Sequence, residues 1–323
     1  MASGRISEKL RPKLMEEDPF TDILGQEKVK RGLKSALLMG RNILIIGPAG
    51  VGKTTLAKNV AKLLPKTKEN AKGAADEGSR FVRLQGSPDL TVEDILGDID
   101  PVKALKYGPT STEAFTKGKL FRAHNGVLFF DELNRCPEKL QNALLQVLEE
   151  GKATIGSYDV DFDVDFIFIG TMNPEDSSTE KLSDVLLDRF DALYMTYPES
   201  IEIESSIIRM KGRQIAEASG QLVNTISLFV RTLRESKDLE MKPSVRASIG
   251  LYERAQSNAV VNSRKEASFD DVRDVAVSVL AHRIKLKPSL QYLKSPEDFI
   301  KEEMEKFVRQ KKELIEPGKG GSL

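Results

Sequence analysis

A short apolar run followed by a glycine-rich turn constrains the fold of this sequence more than any other feature. Residues 42–46 (NILII) are mostly β-branched or leucine, as expected of a parallel strand that is covered on both faces. The turn contains Gly47, Gly50 and Gly52, and glycine allows positive φ and a close approach of the backbone to a ligand. From Lys53 the apolar residues recur at helical spacing until a proline ends the run. The segment predicts a strand, a tight turn and a helix.

The turn itself, GPAGVGKT, matches the pattern G-x-x-x-x-G-K-[ST] in full. In that pattern backbone N–H groups and a helix N-terminus surround a polyphosphate, so we expect a nucleoside triphosphate to bind here. Lys53 should reach the β- and γ-phosphates, and Thr54 should ligate Mg²⁺. The alternative is a glycine turn that carries a lysine by chance, which the full match disfavours. The residues expected to line the nucleotide are Gly47, Pro48, Ala49, Gly50, Val51, Gly52, Lys53, Thr54 and Thr55.

An acidic pair follows a second apolar run. Residues 127–130 (VLFF) lead directly into Asp131 and Glu132, and open α/β sheets bind ligands at the carboxyl ends of their strands. We expect Asp131 to hold the hydration shell of Mg²⁺ and Glu132 to polarise the attacking water. The alternative is a helix N-terminus that favours negative charge. Two adjacent carboxylates directly after an apolar strand favour the catalytic interpretation.

Three further residues are candidates for the same site. Asn173, in TMNP, could hydrogen-bond the γ-phosphate and the lytic water, or it could simply form a turn before a proline. Arg189, in LLDRF, precedes the last expected strand, and Arg246, in PSVRAS, opens a helix. A lone arginine is usually a solvated surface charge. Beside the two stronger motifs either arginine gains a role, because the charge that develops during phosphoryl transfer needs an arginine.

Composition narrows the classes of protein that fit. The 49 Lys and Arg residues equal the 49 Asp and Glu residues, so no global basic field favours nucleic acid, although a local patch stays open. The single Cys136 excludes an internal disulfide framework and fits a reducing compartment. His124 and His282 alone do not favour a zinc cluster. Since no apolar run approaches about 18 residues and the N-terminus lacks a signal-peptide core, we expect a cytoplasmic protein without a membrane span.

Strands that alternate with helices up to residue 197 predict a parallel sheet in a three-layer α/β sandwich. The five expected strands are 42–46, 81–84, 127–130, 167–169 and 192–195. Two insertions interrupt the pattern, an irregular excursion at 97–118 and a hairpin at 151–166 that turns near Gly156 and Ser157. Residues 66–80 are polar and glycine-containing, so we expect an exposed loop there.

The remaining chain is expected to be helical. The helices after Pro198 are expected at 199–218, 221–236, 243–257, 268–286 and 297–315. We therefore divide the chain by composition and pattern. The divisions are a polar N-terminal arm (1–18), an α/β domain (19–197), a small all-helical lid domain (198–286), and a C-terminal helix with a frayed tail (287–323).

The motifs GPAGVGKT, VLFFDE, TMNP, LLDRF and PSVRAS, in this order, resemble those of the AAA+ ATPases. More narrowly, they look like the MoxR and magnesium-chelatase subunit I group. PFTDILGQEKVK, ahead of the glycine turn, is similar to the opening of that group, and AHNGVLFFDELNRCPEKLQNALLQVLEEGKATI resembles its acidic-motif region. The resemblance covers about residues 19–286. It implies a P-loop NTPase sandwich followed by a helical lid.

The resemblance also implies a hexameric ring with ATP and Mg²⁺ between subunits. The residues that would act within one chain are Lys53, Thr54, Asp131, Glu132 and Asn173. Arg189 would reach in from the neighbouring subunit, and Arg246 would be the sensor of the lid, often presented across the interface. The insertions at 97–118 and 151–166 would face the pore of the ring, and Gln85 could be a partner that switches Glu132.

The function that we expect is ATP hydrolysis that remodels or activates a partner protein in a chaperone-like way. The resemblance implies a partner with a von Willebrand A or similar metal-site domain. A DNA-translocating or helicase motor is one alternative, although neutral charge, six Tyr and no Trp give little basis for a stacking groove. An ATP-gated scaffold without turnover is another. A genuine magnesium-chelatase subunit is a third, and the sequence does not separate it from a general remodeller.

Overall fold

The computed structural model describes five stretches of the chain, residues 4–65, 81–108, 111–154, 161–175 and 182–311. The chain divides into two compact units. The first comprises Met1–Pro48 and Gly52–Met195, and the second comprises Ala49–Val51 and Thr196–Leu323.

The order of elements follows the alternation expected from the sequence. The described strands are β1 (Asn42–Ile46), β2 (Phe81–Gln85), β3 (Gly97–Ile99), β4 (Phe115–Lys117), β5 (Val127–Asp131), β6 (Lys152–Thr154), β7 (Asp161–Asp163), β8 (Ile167–Met172), β9 (Phe190–Tyr194), β10 (Leu239–Met241) and β11 (Lys285–Leu286). The described helices are α1 (Gly4–Leu14), α2 (Glu27–Leu38), α3 (Lys53–Leu63), α4 (Val92–Leu96), α5 (Pro101–Tyr107), α6 (Lys119–Arg122), α7 (Glu138–Glu150), α8 (Asp184–Leu187), α9 (Ile201–Lys211), α10 (Gly220–Glu235), α11 (Val245–Val261), α12 (Phe269–Leu280), α13 (Pro288–Gln291) and α14 (Pro296–Gln310). Within the described stretches, no helix is both long enough and apolar enough to cross a membrane.

A five-stranded parallel sheet forms the centre of the first unit. Its order is β2-β5-β8-β1-β9, and every neighbouring pair is parallel. The central strands β1, β5 and β8 are buried along nearly their whole length, so helices cover both faces of the sheet, as their apolar composition predicted. The predicted fold class, a P-loop sandwich with five parallel strands followed by a helical lid, is confirmed.

The N-terminal segment corrects one prediction. Residues 4–14 are not a loose arm but helix α1. Ile6, Leu10 and Leu14 on this helix are at most 2% exposed, and α1 packs against α2 and α3. These three residues are four positions apart and therefore share one helix face. The polar composition of the segment concealed this apolar stripe.

The excursion at 97–118 is also more regular than expected. Strands β3 and β4 pair antiparallel, with Gly97 opposite Lys117, and α5 lies between them in the chain. Gly97 has φ +110°, and a Cβ there would lie 2.1 Å from the carbonyl oxygen of Thr116. A Cβ on Gly118 would lie 2.3 Å from the carbonyl oxygen of Ile95. Glycine at both positions lets the base of this insertion close tightly.

The hairpin predicted at 151–166 is confirmed in its two arms. β6 and β7 pair antiparallel, with Lys152 opposite Asp163 and Thr154 opposite Asp161. The turn predicted near Gly156 lies outside the described residues, and so does the loop predicted at 66–80.

The second unit is helical around one core, with one addition to the sequence prediction. The helix expected at 268–286 ends at Leu280. The chain beyond it includes β11, which pairs antiparallel with β10 to form a two-stranded ribbon. The C-terminal helix α14 belongs to the same core. Its Phe307 ring lies 5.1 Å from that of Phe229 and 6.0 Å from that of Phe269, measured between centroids. The structure therefore includes residues 296–310 in the helical unit rather than in a separate segment.

A buried carboxylate fixes the start of α12. Asp271 is fully buried and accepts hydrogen bonds from Arg264 Nη1 (2.8 Å), the Ser268 backbone and hydroxyl (2.9 Å each) and Asn258 Nδ2 (3.0 Å). Burial by itself would raise the pKa of Asp271. The hydrogen bonds from Arg264, Ser268 and Asn258 outweigh it, so the pKa lies below the usual 3.8.

We expect Asp271→Asn to lower the free energy of unfolding at pH 7 by about 1–3 kcal/mol, because an amide cannot accept this set of donors. A depressed carboxylate pKa contributes stability above the unfolded-state pKa, and that contribution is lost as pH falls through the folded-state pKa. The difference from wild type should therefore shrink below about pH 4. Urea unfolding between pH 7 and about pH 4 measures this difference, with Asp270→Asn as the exposed control on the same turn. An equal loss of unfolding free energy in the two variants would contradict the expectation.

Candidate active site

The glycine turn between β1 and α3 has the backbone geometry of an anion site. Gly50 and Gly52 have φ +74° and +106°, conformations that side-chained residues resist. A Cβ on Gly47 would lie 2.4 Å from the carbonyl oxygen of Met195, so only glycine fits there. Gly52 precedes α3 and provides no side-chain cap for the N–H groups of the first turn. Backbone N–H groups at a helix N-terminus are the donors that bind a phosphate.

The lysine of this turn points back over the loop. Lys53 Nζ donates hydrogen bonds to the carbonyl oxygens of Gly47 (2.5 Å) and Pro48 (2.8 Å). Thr54 and Thr55 follow in the first turn of α3, and both are partly buried. The structure thus brings the cation, the hydroxyls and the helix N-terminus together at the carboxyl end of β1.

The acidic pair lies at the same edge of the sheet. Asp131 ends β5, and its Oδ1 accepts a hydrogen bond from the hydroxyl of Thr171 on β8 (2.7 Å). Glu132 follows with φ +55°, and its backbone N–H donates to the same hydroxyl (3.0 Å). Positive φ is uncommon outside glycine, and such strain is concentrated at functional sites. One buried threonine therefore holds the carboxylate of Asp131 and the backbone of Glu132.

Two residues of β2 and one residue that follows Glu132 provide further contacts of the acidic pair. Gln85 Nε2 donates to Glu132 Oε2 (2.8 Å), and Arg83 Nη2 donates to Asp131 Oδ2 (2.6 Å). Arg135 lies 3.3 Å from Glu132 Oε2. The sequence had indicated Gln85 only weakly and had missed Arg83 and Thr171 altogether. Thr171 lies in the GTMNP segment that was already of interest, but its role depends on a strand pairing that the sequence does not show.

The register of the sheet relates the acidic pair to the lysine. β8 lies between β1 and β5, and parallel strands present their carboxyl ends at one edge. The carboxyl ends of β1 and β5, which lead to the glycine turn and to Glu132, therefore lie at the same edge of the sheet, two strand spacings or about 10 Å apart. Mg²⁺ that is bound with a nucleotide needs only one or two carboxylates, because phosphates and water supply its other ligands. The hydroxyl of Thr54 and the carboxylate of Asp131 fit this donor set.

Asn173 lies just beyond β8 at this edge. Its Oδ1 accepts a hydrogen bond from the backbone N–H of Glu175 (3.2 Å), which is the turn that the sequence offered as the alternative role. The structure thus shows the turn and places Asn173 at the edge where the glycine turn and the acidic pair lie.

Arg189 lies at the opposite edge. It precedes β9, whose first residue, Phe190, pairs with the first residue of β1. A five-residue strand spans about 16 Å, so the structure does not bring Arg189 to the glycine turn of its own chain. Its guanidinium pairs with Glu149 (3.1 Å) and Asp188 (3.0 Å) beside a depression of about 510 Å³.

Arg246 belongs to the second unit. It is the second residue of α11, and its side chain is exposed. The segment that enters α11 is fixed by a buried ion pair, in which Arg234 binds Glu204 through both of its terminal nitrogens (2.6 and 2.7 Å). Arg234 Nε also donates to the carbonyl oxygen of Pro243 (2.7 Å).

Comparison with known families gives two matches along the chain. Residues 19–184, just over half of the 323 residues, match the family described as magnesium chelatase, subunit ChlI. Residues 231–303 match the AAA lid domain. The lid match continues past residue 286, where the sequence resemblance had ended, and includes half of α14.

Several curated relatives are similar over most of their length. The uncharacterized protein YeaC of Bacillus subtilis is 27% identical, covering 80% of this chain and 82% of the relative. The chaperone MoxR1 of Mycobacterium tuberculosis is 27% identical, covering 82% and 73%. The magnesium-chelatase subunit ChlI of Olisthodiscus luteus is 27% identical, covering 84% and 91%.

Among solved structures, a variant of RuvB from Thermotoga maritima aligns with a TM-score of 0.53 and 21% identity, covering 80% of this chain and 72% of that one. At this identity the likeness shows the fold alone. The first family match includes the glycine turn and the acidic pair, and the second covers much of the helical unit. The chain belongs to the magnesium chelatase subunit ChlI family, within the MoxR and ChlI group of AAA+ ATPases.

Proposed function

We propose that this protein hydrolyses ATP with Mg²⁺ in a ring of identical subunits and uses the energy to remodel or activate a partner protein. The observation that carries the proposal is the convergence of the glycine turn and the acidic pair at one edge of the sheet. A glycine turn alone fits many nucleotide-binding proteins. The adjacent carboxylates, that of Asp131 held by Thr171 and that of Glu132 by Gln85, add the parts that hydrolysis requires.

Each residue at this edge has a role in the proposal. Lys53 and the N–H groups of the turn hold the β- and γ-phosphates, and Thr54 with Asp131 holds Mg²⁺ and its water shell. When bound, Mg²⁺ offsets the negative charge of the phosphates. Glu132 orients the attacking water and accepts its proton, and Asn173 hydrogen-bonds the γ-phosphate.

The two arginines complete the proposed site from other positions. Arg189 lies at the far edge of the sheet from its own glycine turn, which supports action on the nucleotide of a neighbouring subunit. Arg246, at the exposed start of α11, is the proposed sensor of the lid. A site shared in this way needs an oligomer, and we propose a hexameric ring.

The proposed client is a protein. One relative is named a chaperone, which supports remodelling as the activity. The insertion at 97–118 also exposes apolar surface, because Val102 and Leu105 on α5 are 76% and 91% exposed. Exposed apolar side chains that lie together favour a role in contacts with other proteins. A partner that carries a von Willebrand A or similar domain is the class that we propose.

A magnesium-chelatase subunit is the second candidate, because the matched family and one relative carry that name. A DNA motor has less support. RuvB, described as a Holliday junction branch migration motor, is similar to this chain in fold alone, and the chain has no net charge. Stimulation of ATP turnover by duplex DNA, with a steep loss as salt rises, would favour the motor over both other candidates.

Replacement of Lys53, the lysine of the glycine turn, tests nucleotide binding directly. We expect Lys53→Ala to weaken ATP binding by about 100-fold or more, because a charged donor to the phosphates is removed. Fluorescence of a labelled ATP analogue with purified protein measures this effect. Lys58→Ala, at an exposed position on the same helix, is the matched control and should bind normally. Undiminished ATP binding by Lys53→Ala would refute the proposed site.

Steady-state ATP turnover by the wild-type protein would reject the alternative of an ATP-gated scaffold that does not hydrolyse ATP.

A further inference from the structure

Arg83 joins the two carboxylates of the candidate site. This residue lies on β2, the edge strand of the sheet, beside β5. Its Nη2 donates to Asp131 Oδ2 (2.6 Å) and also to Gln85 Oε1 (3.1 Å). The second bond turns the amide of Gln85 so that its Nε2 faces Glu132 (2.8 Å). One guanidinium thus contacts the carboxylate that is proposed to hold Mg²⁺ and orients the partner of the other carboxylate.

The two members of the Arg83–Asp131 pair differ in their access to water. The side chain of Asp131 is 14% exposed, whereas that of Arg83 is 51% exposed. Oδ1 of Asp131 already accepts the hydrogen bond of Thr171, so the oxygen next to Arg83 is the one that remains for a metal-bound water. A guanidinium and a divalent cation at one carboxylate oxygen would repel each other. Arg83 can withdraw into solvent, since its own side chain is 51% exposed.

We propose that Arg83 is a positioning residue that acts as a displaceable counter-ion of Asp131. It neutralises Asp131 before Mg²⁺ and ATP arrive and withdraws when they bind. Its withdrawal also removes the hydrogen bond that orients the amide of Gln85. Binding of Mg²⁺ and ATP at Asp131 therefore changes the contact that Gln85 makes with Glu132. This inference rests on the proposed function and adds to it a control over how much Mg²⁺ the site requires.

If Arg83 instead helped the site to bind Mg²⁺, its loss would change the Mg²⁺ requirement in the opposite direction. An arginine that only holds Asp131 in the correct orientation for Mg²⁺ would strengthen metal binding, and its loss would raise the Mg²⁺ requirement. A displaceable counter-ion competes with Mg²⁺, so its loss lowers that requirement. The direction of the change therefore separates the two roles.

The experiment is a Mg²⁺ titration of nucleotide binding, read by the fluorescence of a labelled, non-hydrolysable ATP analogue. We expect Arg83→Gln to reduce the Mg²⁺ concentration at half-saturation by about three- to tenfold, the range for loss of a partly exposed ion pair. Arg83→Lys retains the charge and should lie near wild type. The matched control is Arg41→Gln, whose guanidinium is 52% exposed and pairs with Asp191 (3.1 Å) at the opposite edge of the sheet. It should leave the titration unchanged.

The outcomes distinguish this inference from the proposed function. A wild-type protein that binds no nucleotide would refute the proposed function and the inference together. Nucleotide binding with an equal or higher Mg²⁺ requirement in Arg83→Gln would refute the inference alone. If Arg83→Gln does not fold, as judged by its thermal melt, Arg83→Ala and Arg83→Lys give the same comparison. A Mg²⁺ requirement that stays at or above the wild-type value whenever the charge is absent overturns the inference.

Discussion

Arg189→Ala should slow ATP hydrolysis by about 10³–10⁵-fold and leave ATP binding unchanged, the range for loss of an arginine that stabilises phosphoryl transfer. The unchanged binding is expected because Arg189 lies at the amino edge of the sheet, away from the glycine turn of its own chain. Phosphate release and binding of a labelled analogue, measured on the same preparations, test both parts. Arg189→Lys should recover little activity, since an ammonium lacks the planar fork of a guanidinium. Arg273 is an exposed arginine that pairs with Asp270, and the Arg273→Ala control should hydrolyse ATP at the wild-type rate.

Mixing of variants tests whether the site is shared. A Lys53→Ala subunit retains Arg189, and an Arg189→Ala subunit retains the glycine turn. In mixed rings some interfaces therefore combine an intact turn with an intact arginine, and partial activity should return. Absence of any recovery, in mixtures shown to co-assemble, would contradict a site shared between neighbours.

The second large effect is expected at Glu132. Glu132→Gln should bind ATP normally but lose about 10²–10⁴ in turnover, the usual contribution of a general base. The amide cannot accept the proton of the attacking water, although it has the same shape and can keep the contact with Gln85. Glu138→Gln, an exposed carboxylate at the start of α7, is the matched control. Full turnover by Glu132→Gln would remove its proposed role.

The Glu132→Gln form also offers a route to the client. A variant that binds ATP without hydrolysing it accumulates in the nucleotide-bound state. Proteins captured with this form and absent from a Lys53→Ala capture would be candidate partners. Proteins retained equally by both forms would not depend on nucleotide.

The sequence predicted the parts of the site that lie within short continuous segments. The glycine turn is local, and Asp131 and Glu132 follow their own strand directly, so pattern and chemistry were enough. Arg83 and Thr171 were missed because their partner, Asp131, is 48 and 40 residues away along the chain. These contacts exist only once β2, β5 and β8 lie side by side, and no local pattern specifies that order.

Two further differences between sequence and structure have simple physical causes. In α1, three apolar residues at spacing four were hidden among charged neighbours, because their total number is small. The insertion at 97–118 reads as irregular because its strands are only three residues long. Periodicity needs more residues than that to be visible.

The separation of Arg189 from the glycine turn also limits how subunits could assemble. Arg189 lies at the amino ends of the parallel strands, and the glycine turn lies at their carboxyl ends. Each chain therefore has a donating end, which carries Arg189, and a receiving end, which carries the glycine turn. A heterologous contact joins the donating end of one chain to the receiving end of the next. If Arg189 serves a neighbour through contacts of this kind, only a closed cycle leaves no receiving end empty. A chain at the end of an open row would bind ATP yet remain idle until a further subunit joined it.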